Sequence, residues 1–238
     1  VTPGLKIAGL TVSRDAKEVL HSVDIVVMPG RITALLGANG AGKSSLVLAI
    51  GGILPTDGGS IEVEGRSIAG LRPERVREQG IVVVPEGHQV LNALSVEDNL
   101  KVAGSHLSRA ELGPAVRAAL DAFPELRERL ATRAGDMSGG QQQMIALGQA
   151  IVAKPRYLLA DELSFGLAPV IVARLMPVLT QLASQGVGVL LIEQFTHIAL
   201  KIAHHAYVME RGRISFSGLP EELVRNPQIL HSAYLAAG

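Results

Sequence analysis

The chain contains no cysteine and no tryptophan, and its aromatic complement is only four Phe and three Tyr in 238 residues. Without cysteine there is no disulfide framework and no thiol chemistry, a composition compatible with a reducing compartment. Charge of one sign is also missing: Lys plus Arg and Asp plus Glu balance at 22 each. A neutral chain carries no broad attraction to nucleic acid or an anionic membrane. Apolar runs such as Ile81–Val84 and Val187–Ile192 are strand-sized, far short of a membrane span. Lys6 and Arg14 flank no long apolar core, so the N-terminus lacks signal-peptide character. These absences predict a soluble protein that meets a membrane only through a partner. What is present is 47% hydrophobic and 18% charged residues, enough for one large domain or a core plus a subdomain.

Arg31–Leu36, Ile81–Val84, Tyr157–Ala160 and Val187–Ile192 are continuous β-branched or leucine-rich runs. Runs of this kind predict strands buried on both faces, as in a parallel sheet with helices between strands. Two segments read instead as hairpins: Ser60–Ile68 after Asp57-Gly58-Gly59, and Ala206–Phe216 turning at Arg211-Gly212. With Leu5–Val12 and Val23–Val27 they are expected to form a smaller antiparallel layer. Between Glu86 and Met137 the texture becomes helical. Ser95 and Ser108 look like N-caps with an acid three residues on, and Pro114 and Pro124 suggest three short helices over 95–132.

Gly37-Ala38-Asn39-Gly40-Ala41-Gly42-Lys43-Ser44 satisfies the pattern G-x-x-x-x-G-K-[ST], and Ser45 follows it. The loop sits after a predicted strand and before a predicted helix, where its backbone amides can wrap phosphates. Lys43 would reach the β- and γ-phosphates, and the Ser44 hydroxyl would hold Mg²⁺. The reading is a nucleoside triphosphate site. Further on, Tyr157–Ala160 delivers Asp161 and Glu162 to a strand end, where open α/β sheets bind ligands. Asp161 suits Mg²⁺, directly or through water; Glu162 suits a general base for the attacking water. Met137-Ser138-Gly139-Gly140-Gln141 reads as the N-capped start of a helix over Gln141–Ile151, with amides free to face an anion. By itself such a stretch is most often an ordinary cap; beside the other two motifs it acquires a ligand.

These three motifs, in this order with a helical insert before the third, resemble the ATP-binding cassette (ABC) ATPases over about Leu5 to Tyr234. The signature LSGGQ stands here as MSGGQ, with Met137 a conservative apolar replacement. The resemblance implies an α/β fold: a P-loop NTPase (RecA-like) core with a mostly parallel sheet, an antiparallel β subdomain and an inserted helical subdomain. It implies one domain over 1–238, with the catalytic core in 1–86 and 155–217, the helical signature subdomain in 87–154 and a helical tail in 218–238. ATP and Mg²⁺ are the implied cofactors. Ser138, Gly139, Gly140 and Gln141 would bind, in trans, the γ-phosphate on another subunit's P-loop, in a head-to-tail dimer with an identical or homologous cassette.

Val84-Pro85-Glu86-Gly87, Ser164–Pro169, Leu191-Ile192-Glu193-Gln194 and Ala206–Met209 look like the ATPase subunits of branched-chain amino acid importers, a group that includes urea and amide importers. Most cassettes carry glutamine, aspartate and histidine where this chain has Glu86, Ala168 and Gln194; the importer group carries the residues seen here. The resemblance makes Glu86 a Mg²⁺ ligand and Gln194 a γ-phosphate contact. Gln194 can donate a hydrogen bond but cannot carry a proton as histidine can. His197, one helical turn on, is expected to be a solvated histidine. Implied partners are membrane permease subunits, engaged through segment 86–107, and indirectly a periplasmic or extracellular solute-binding protein. Of Val90, Leu91 and Leu94, at least one is expected in the core. The implied location is peripheral, on the cytoplasmic face of the inner or plasma membrane.

Three positions depart from the group. Leu163 replaces a proline after the Asp-Glu pair, and Gln149 replaces an arginine in the helix that follows the signature. The aromatic that stacks on adenine is missing upstream of the P-loop, since the first aromatic is Phe123. Arg14 occupies the matching position, where a guanidinium could stack on the base or stand as a solvated loop charge. Against a soluble ABC ATPase of DNA repair or translation stand the single cassette, the lack of a coiled-coil insertion and the neutral charge, so no nucleic acid partner is expected. A regulatory cassette with low hydrolysis remains a third alternative.

Overall fold

Short apolar runs become the central strands of the computed structural model, which describes residues 4–87 and 89–235. In chain order these are β1 (Leu5–Arg14), β2 (Lys17–Val27), β3 (Ile32–Leu36), α1 (Lys43–Ile50), β4 (Gly58–Val63) and β5 (Arg66–Ser67). Next come α2 (Pro73–Glu78), β6 (Ile81–Val84), α3 (Val96–Ala103), α4 (Arg109–Ala122) and α5 (Gly139–Val152). The chain continues through β7 (Tyr157–Asp161), α6 (Pro169–Ser184), β8 (Gly188–Ile192), α7 (Thr196–Ile202), β9 (His205–Glu210) and β10 (Arg213–Gly218). Two short helices, α8 (Pro220–Arg225) and α9 (Pro227–Leu235), close the described chain.

The strands form two sheets, a six-stranded one ordered β10-β9-β3-β8-β7-β6 and a four-stranded one ordered β2-β1-β4-β5. In the larger sheet β3 pairs parallel with β8 and β9, and β7 parallel with β8. Every residue of β3, β7 and β8 is buried, which accounts for their unbroken apolar sequence. The smaller sheet is antiparallel. Alternate residues Leu5 and Ile7 of β1, and Leu20, Val23, Ile25 and Val27 of β2, enter a common core with Leu46 and Ile50 of α1.

Two sequence expectations need correction here. The hairpin of β9 and β10 does turn at Arg211-Gly212, both with positive φ, but it extends the mainly parallel sheet rather than the antiparallel layer. Its register explains why: Ala206, Tyr207 and Val208 of β9 pair in parallel with Ala34, Leu35 and Leu36 of β3, a long-range contact that no local pattern encodes. Strand β2 also begins six residues before Val23, because it pairs with β1 from Arg14↔Lys17 onward.

Contacts divide the chain into two units. One holds residues 1–83, 156–162 and 179–238 with both sheets; the other holds 84–155 and 163–178. In the second unit Ser95 caps α3 by accepting from the Asp98 amide at 3.0 Å. Ser108 and Glu111 form a capping box at α4, with the Ser108 amide donating to Glu111 Oε2 at 3.1 Å. Pro114 does not end this helix, as the sequence suggests it should; it lies inside α4. One missing amide donor is outweighed by the cap and by Ala115, Ala119 and Leu120, buried where α4 packs on α5. Pro124 instead starts a 3-10 helix, Pro124–Arg129.

Tyr157 is the largest fully buried side chain of the sheet core, and its hydroxyl has no hydrogen-bond partner among the described residues. Burial of an unbonded hydroxyl costs free energy that phenylalanine avoids. Tyr157→Phe is therefore expected to hold or raise stability, by up to about 1 kcal/mol or roughly 2–4 °C in Tm. A thermal melt that falls by several degrees would show that the hydroxyl is bonded after all.

Candidate nucleotide site

The order β3-β8-β7 brings three sequence-distant loops to the C-terminal edge of one parallel sheet. The P-loop follows β3, Asp161 ends β7 with Glu162 just after it, and Gln194 lies two residues beyond β8. Ligands of parallel sheets gather at this edge, because the loops there diverge around an open crevice.

Backbone geometry dictates the glycines of the loop. Gly37 has φ +150°, and a Cβ there would press into the Met209 carbonyl of β9. Gly42 has φ +109° and would bring a Cβ within 2.8 Å of Leu20 Cδ2. The latter is the N-cap of α1, and since it has no side chain to offer, no side chain caps that helix. Neither is there an acid in the first turn. The helix therefore presents amides and its positive dipole end toward an anion from outside the chain.

Lys43 is buried at 4% exposure within this loop. Its ammonium donates to the Gly37 and Ala38 carbonyls at 2.9 and 3.0 Å and lies 3.7 Å from Glu162 Oε1. The carboxylate itself has a side chain only 8% exposed. Asn39 and Gly40 are exposed at the tip, Ala38 and Ala41 are buried, and Ser44 and Ser45 are half-buried. The Ala41 carbonyl accepts from Gly212 at 2.8 Å, which ties the loop to the β9–β10 turn.

Glu162 has φ +48°, unusual for a residue with a Cβ and worth on the order of 1–2 kcal/mol of strain. Its amide donates to the Ile192 carbonyl at 2.9 Å, so β8 helps hold this strained turn. Asp161, 4% exposed, pairs in register with Ile192. Leu163, the departure from proline, is fully buried and anchors the chain just after Glu162.

Sequence reasoning missed Tyr234 of α9, although a tyrosine in the tail of so aromatic-poor a chain is a signal. Its hydroxyl donates to the Gln194 carbonyl at 3.2 Å. Burial pushes the phenol above its ordinary pKa; the Gly37 backbone opposes the rise, and Glu162 and Glu193 add to it. Glu193, 1% exposed, was also missed. His197 is exposed on α7, with Phe195 packed edge-on at 6.4 Å, as expected of a solvated histidine. Arg14 stands exposed at the end of β1, where the hairpin turns through Asp15 and Ala16.

The signature belongs to the second unit. Ser138 caps α5: its Oγ accepts from the Gln141 amide at 3.4 Å, while the Gln141 side chain accepts from the Ser138 amide at 3.1 Å. Gln141 is thus engaged in the cap. Met137 is buried, Ser138 and Gly139 are exposed, and Gly140 is packed so that a Cβ would meet Ile171 at 3.0 Å. Gln149 also finds a purpose. Its amide donates to Asn99 Oδ1 at 3.1 Å, and buried Asn99 bonds the Leu91 amide and the Leu91 and Ser95 carbonyls. This network pins residues 91–95 to α5. Glu86 is exposed in the same unit. None of Val90, Leu91 and Leu94 is buried, contrary to the expectation that at least one is core; Leu91 is 47% exposed. Polar pinning through Asn99 takes the place of apolar packing there.

A family model described as "ABC transporter" matches residues 20–164, more than half of the chain. The chain belongs to the ABC transporter ATP-binding proteins. High-affinity branched-chain amino acid transport ATP-binding protein BraG of Pseudomonas aeruginosa is 43% identical over 92% of this chain and 93% of its own length. Probable branched-chain amino acid transport ATP-binding protein LivF of Archaeoglobus fulgidus is 36% identical over 87% of this chain and 89% of its own. The ADP conformation of MJ1267, an ATP-binding cassette of an ABC transporter, superposes with a TM-score of 0.87. It is 25% identical, covering 97% of this chain and 98% of that one. As an ABC ATPase, the chain is an ATP hydrolase that drives transport. ABC ATPases generally dimerise and work with permeases. Among the described residues no helix is long and apolar enough to cross a membrane.

Proposed function

We propose that this ABC ATPase powers an importer of branched-chain or other hydrophobic amino acids, acting peripherally at the cytoplasmic face of the membrane. The observation that carries the catalytic reading is the buried Lys43–Glu162 pair across the P-loop, 3.7 Å apart. Lys43 now spends its donors on loop carbonyls and Glu162; triphosphate oxygens can replace both as charged acceptors. That exchange frees Glu162 to accept a proton from water attacking the γ-phosphorus, as the bond to ADP breaks. Gln194 donates to the γ-phosphate and holds it in line.

Ser44 and Asp161 are hard oxygen donors suited to Mg²⁺, which would neutralise charge on the β- and γ-phosphates. Among the described residues no three His, Asp or Glu cluster as a metal site. The amides of Gly139 and Gly140 and the Ser138 hydroxyl complete the site on a partner cassette, whose own signature completes this one. Arg14 lies outside the phosphate cradle and is assigned to the adenine, leaving affinity mainly to the phosphates.

The names of two relatives support the solute class. Disrupting this chain in its host should abolish uptake of radiolabelled leucine, isoleucine and valine. Unchanged uptake of all three, with loss of urea or amide uptake, would move the assignment to the amide importers. The chain should also co-purify with a permease and without nucleic acid.

A further inference from the structure

We propose that Tyr234 is a positioning residue: from the C-terminal helix α9 its hydroxyl fixes the backbone of Gln194 at the mouth of the nucleotide site. The proposal rests on the reading of Gln194 as a γ-phosphate contact. Gln194 sits in the short irregular stretch between β8 and α7, outside the ladder of either element. Its carbonyl is taken by the Tyr234 hydroxyl at 3.2 Å. That bond ties the tail to the loop after β8, forty positions back in sequence from Tyr234.

The helix that carries it is itself anchored. Ala233, the preceding residue, is 2% exposed, and α9 packs on β9, the neighbour of β3. Tyr234 is consequently delivered from a fixed backbone, and the tail becomes a strap across the edge of the sheet. Such a strap matters more here than with a histidine at position 194. An amide side chain cannot shuttle a proton, so whatever it contributes depends on where its donor is held. Loss of the strap leaves phosphate binding by the P-loop intact and blurs the placement of Gln194.

The test compares Tyr234→Phe, which keeps the ring and removes only the hydroxyl, with wild type in the full chain and the complex in which it purifies. Expected are a kcat lower by about tenfold, a KM for ATP within about twofold, and an unchanged melting temperature, the pattern of lost transition-state placement. In nucleotide-free protein, amide exchange over residues 193–196 should quicken, a readout independent of hydrolysis. Adding Tyr234→Phe to Gln194→Ala should cost no further activity, because the hydroxyl acts through Gln194. Wild-type kcat and exchange in Tyr234→Phe overturn the proposal. So does a loss that adds fully to that of Gln194→Ala, or one that appears only as a lowered melting temperature. Persistent turnover in Glu162→Gln would overturn the catalytic reading of the site, yet leave the strap to be judged by exchange alone.

Discussion

Glu162→Gln is expected to reduce steady-state ATP hydrolysis by about 10²–10⁴-fold while leaving nucleotide binding in place. The amide is nearly the shape of the carboxylate, so the strained φ of +48° and the bond from its amide to Ile192 persist. What disappears is the basicity needed to take a proton from water. Lys43 loses a charged neighbour at 3.7 Å but retains the Gly37 and Ala38 carbonyls, and phosphates when ATP is bound. The ammonium is therefore never stranded, and the fold should survive. With hydrolysis blocked, ATP has no exit by reaction, so a cassette dimer should accumulate. Phosphate release measures the first effect and size-exclusion chromatography with ATP the second. Hydrolysis at the wild-type rate would remove Glu162 from the role of base.

The second large effect is expected at the signature. Gly139→Asp should abolish ATP-driven dimerisation and cooperative hydrolysis, while each isolated chain binds ATP as before. Gly139 is exposed at the first position of α5 and has no positive φ, so the backbone accepts a side chain there. An aspartate in the first turn also favours the helix, through its dipole and free amides. The local effect on stability is thus neutral or favourable, and the damage is electrostatic. A carboxylate would face the γ-phosphate that Ser138 and Gly140 are proposed to bind in trans, and like charges at close range outside bulk water repel strongly. Mixing Gly139→Asp chains with Glu162→Gln chains separates the two half-sites. A dimer that forms normally from Gly139→Asp chains alone would contradict binding in trans.

Much of the fold is legible in local sequence. Continuous runs such as Tyr157–Asp161 and Gly188–Ile192 are buried at every position, so their hydrophobicity needs no phase to be read as strand. Ser95, Ser108 and Ser138 cap helices because a serine oxygen reaches an amide three residues away, an interaction written wholly within four residues. The placement of the β9–β10 hairpin was not legible, since a hairpin is local but the edge it joins is chosen by pairing with β3. Pro114 misled for the same reason: its local cost is real, yet packing of α4 on α5 outweighs it. Val90, Leu91 and Leu94 carry core-like side chains, but a buried polar residue, Asn99, holds that loop instead.

By itself the sequence determined the local pieces: a glycine-rich loop between strand and helix, an acidic pair at a strand end and a serine-capped helix start. Those are short-range patterns whose backbone geometry is set by their own residues. Only the tertiary structure decided which of them share a site. Strand order β3-β8-β7 puts Lys43, Glu162 and Gln194 at one edge, and α9 returns Tyr234 to that edge from the far end of the chain. Such meetings depend on long-range burial and pairing summed over the whole sheet, and no single window of residues contains that sum.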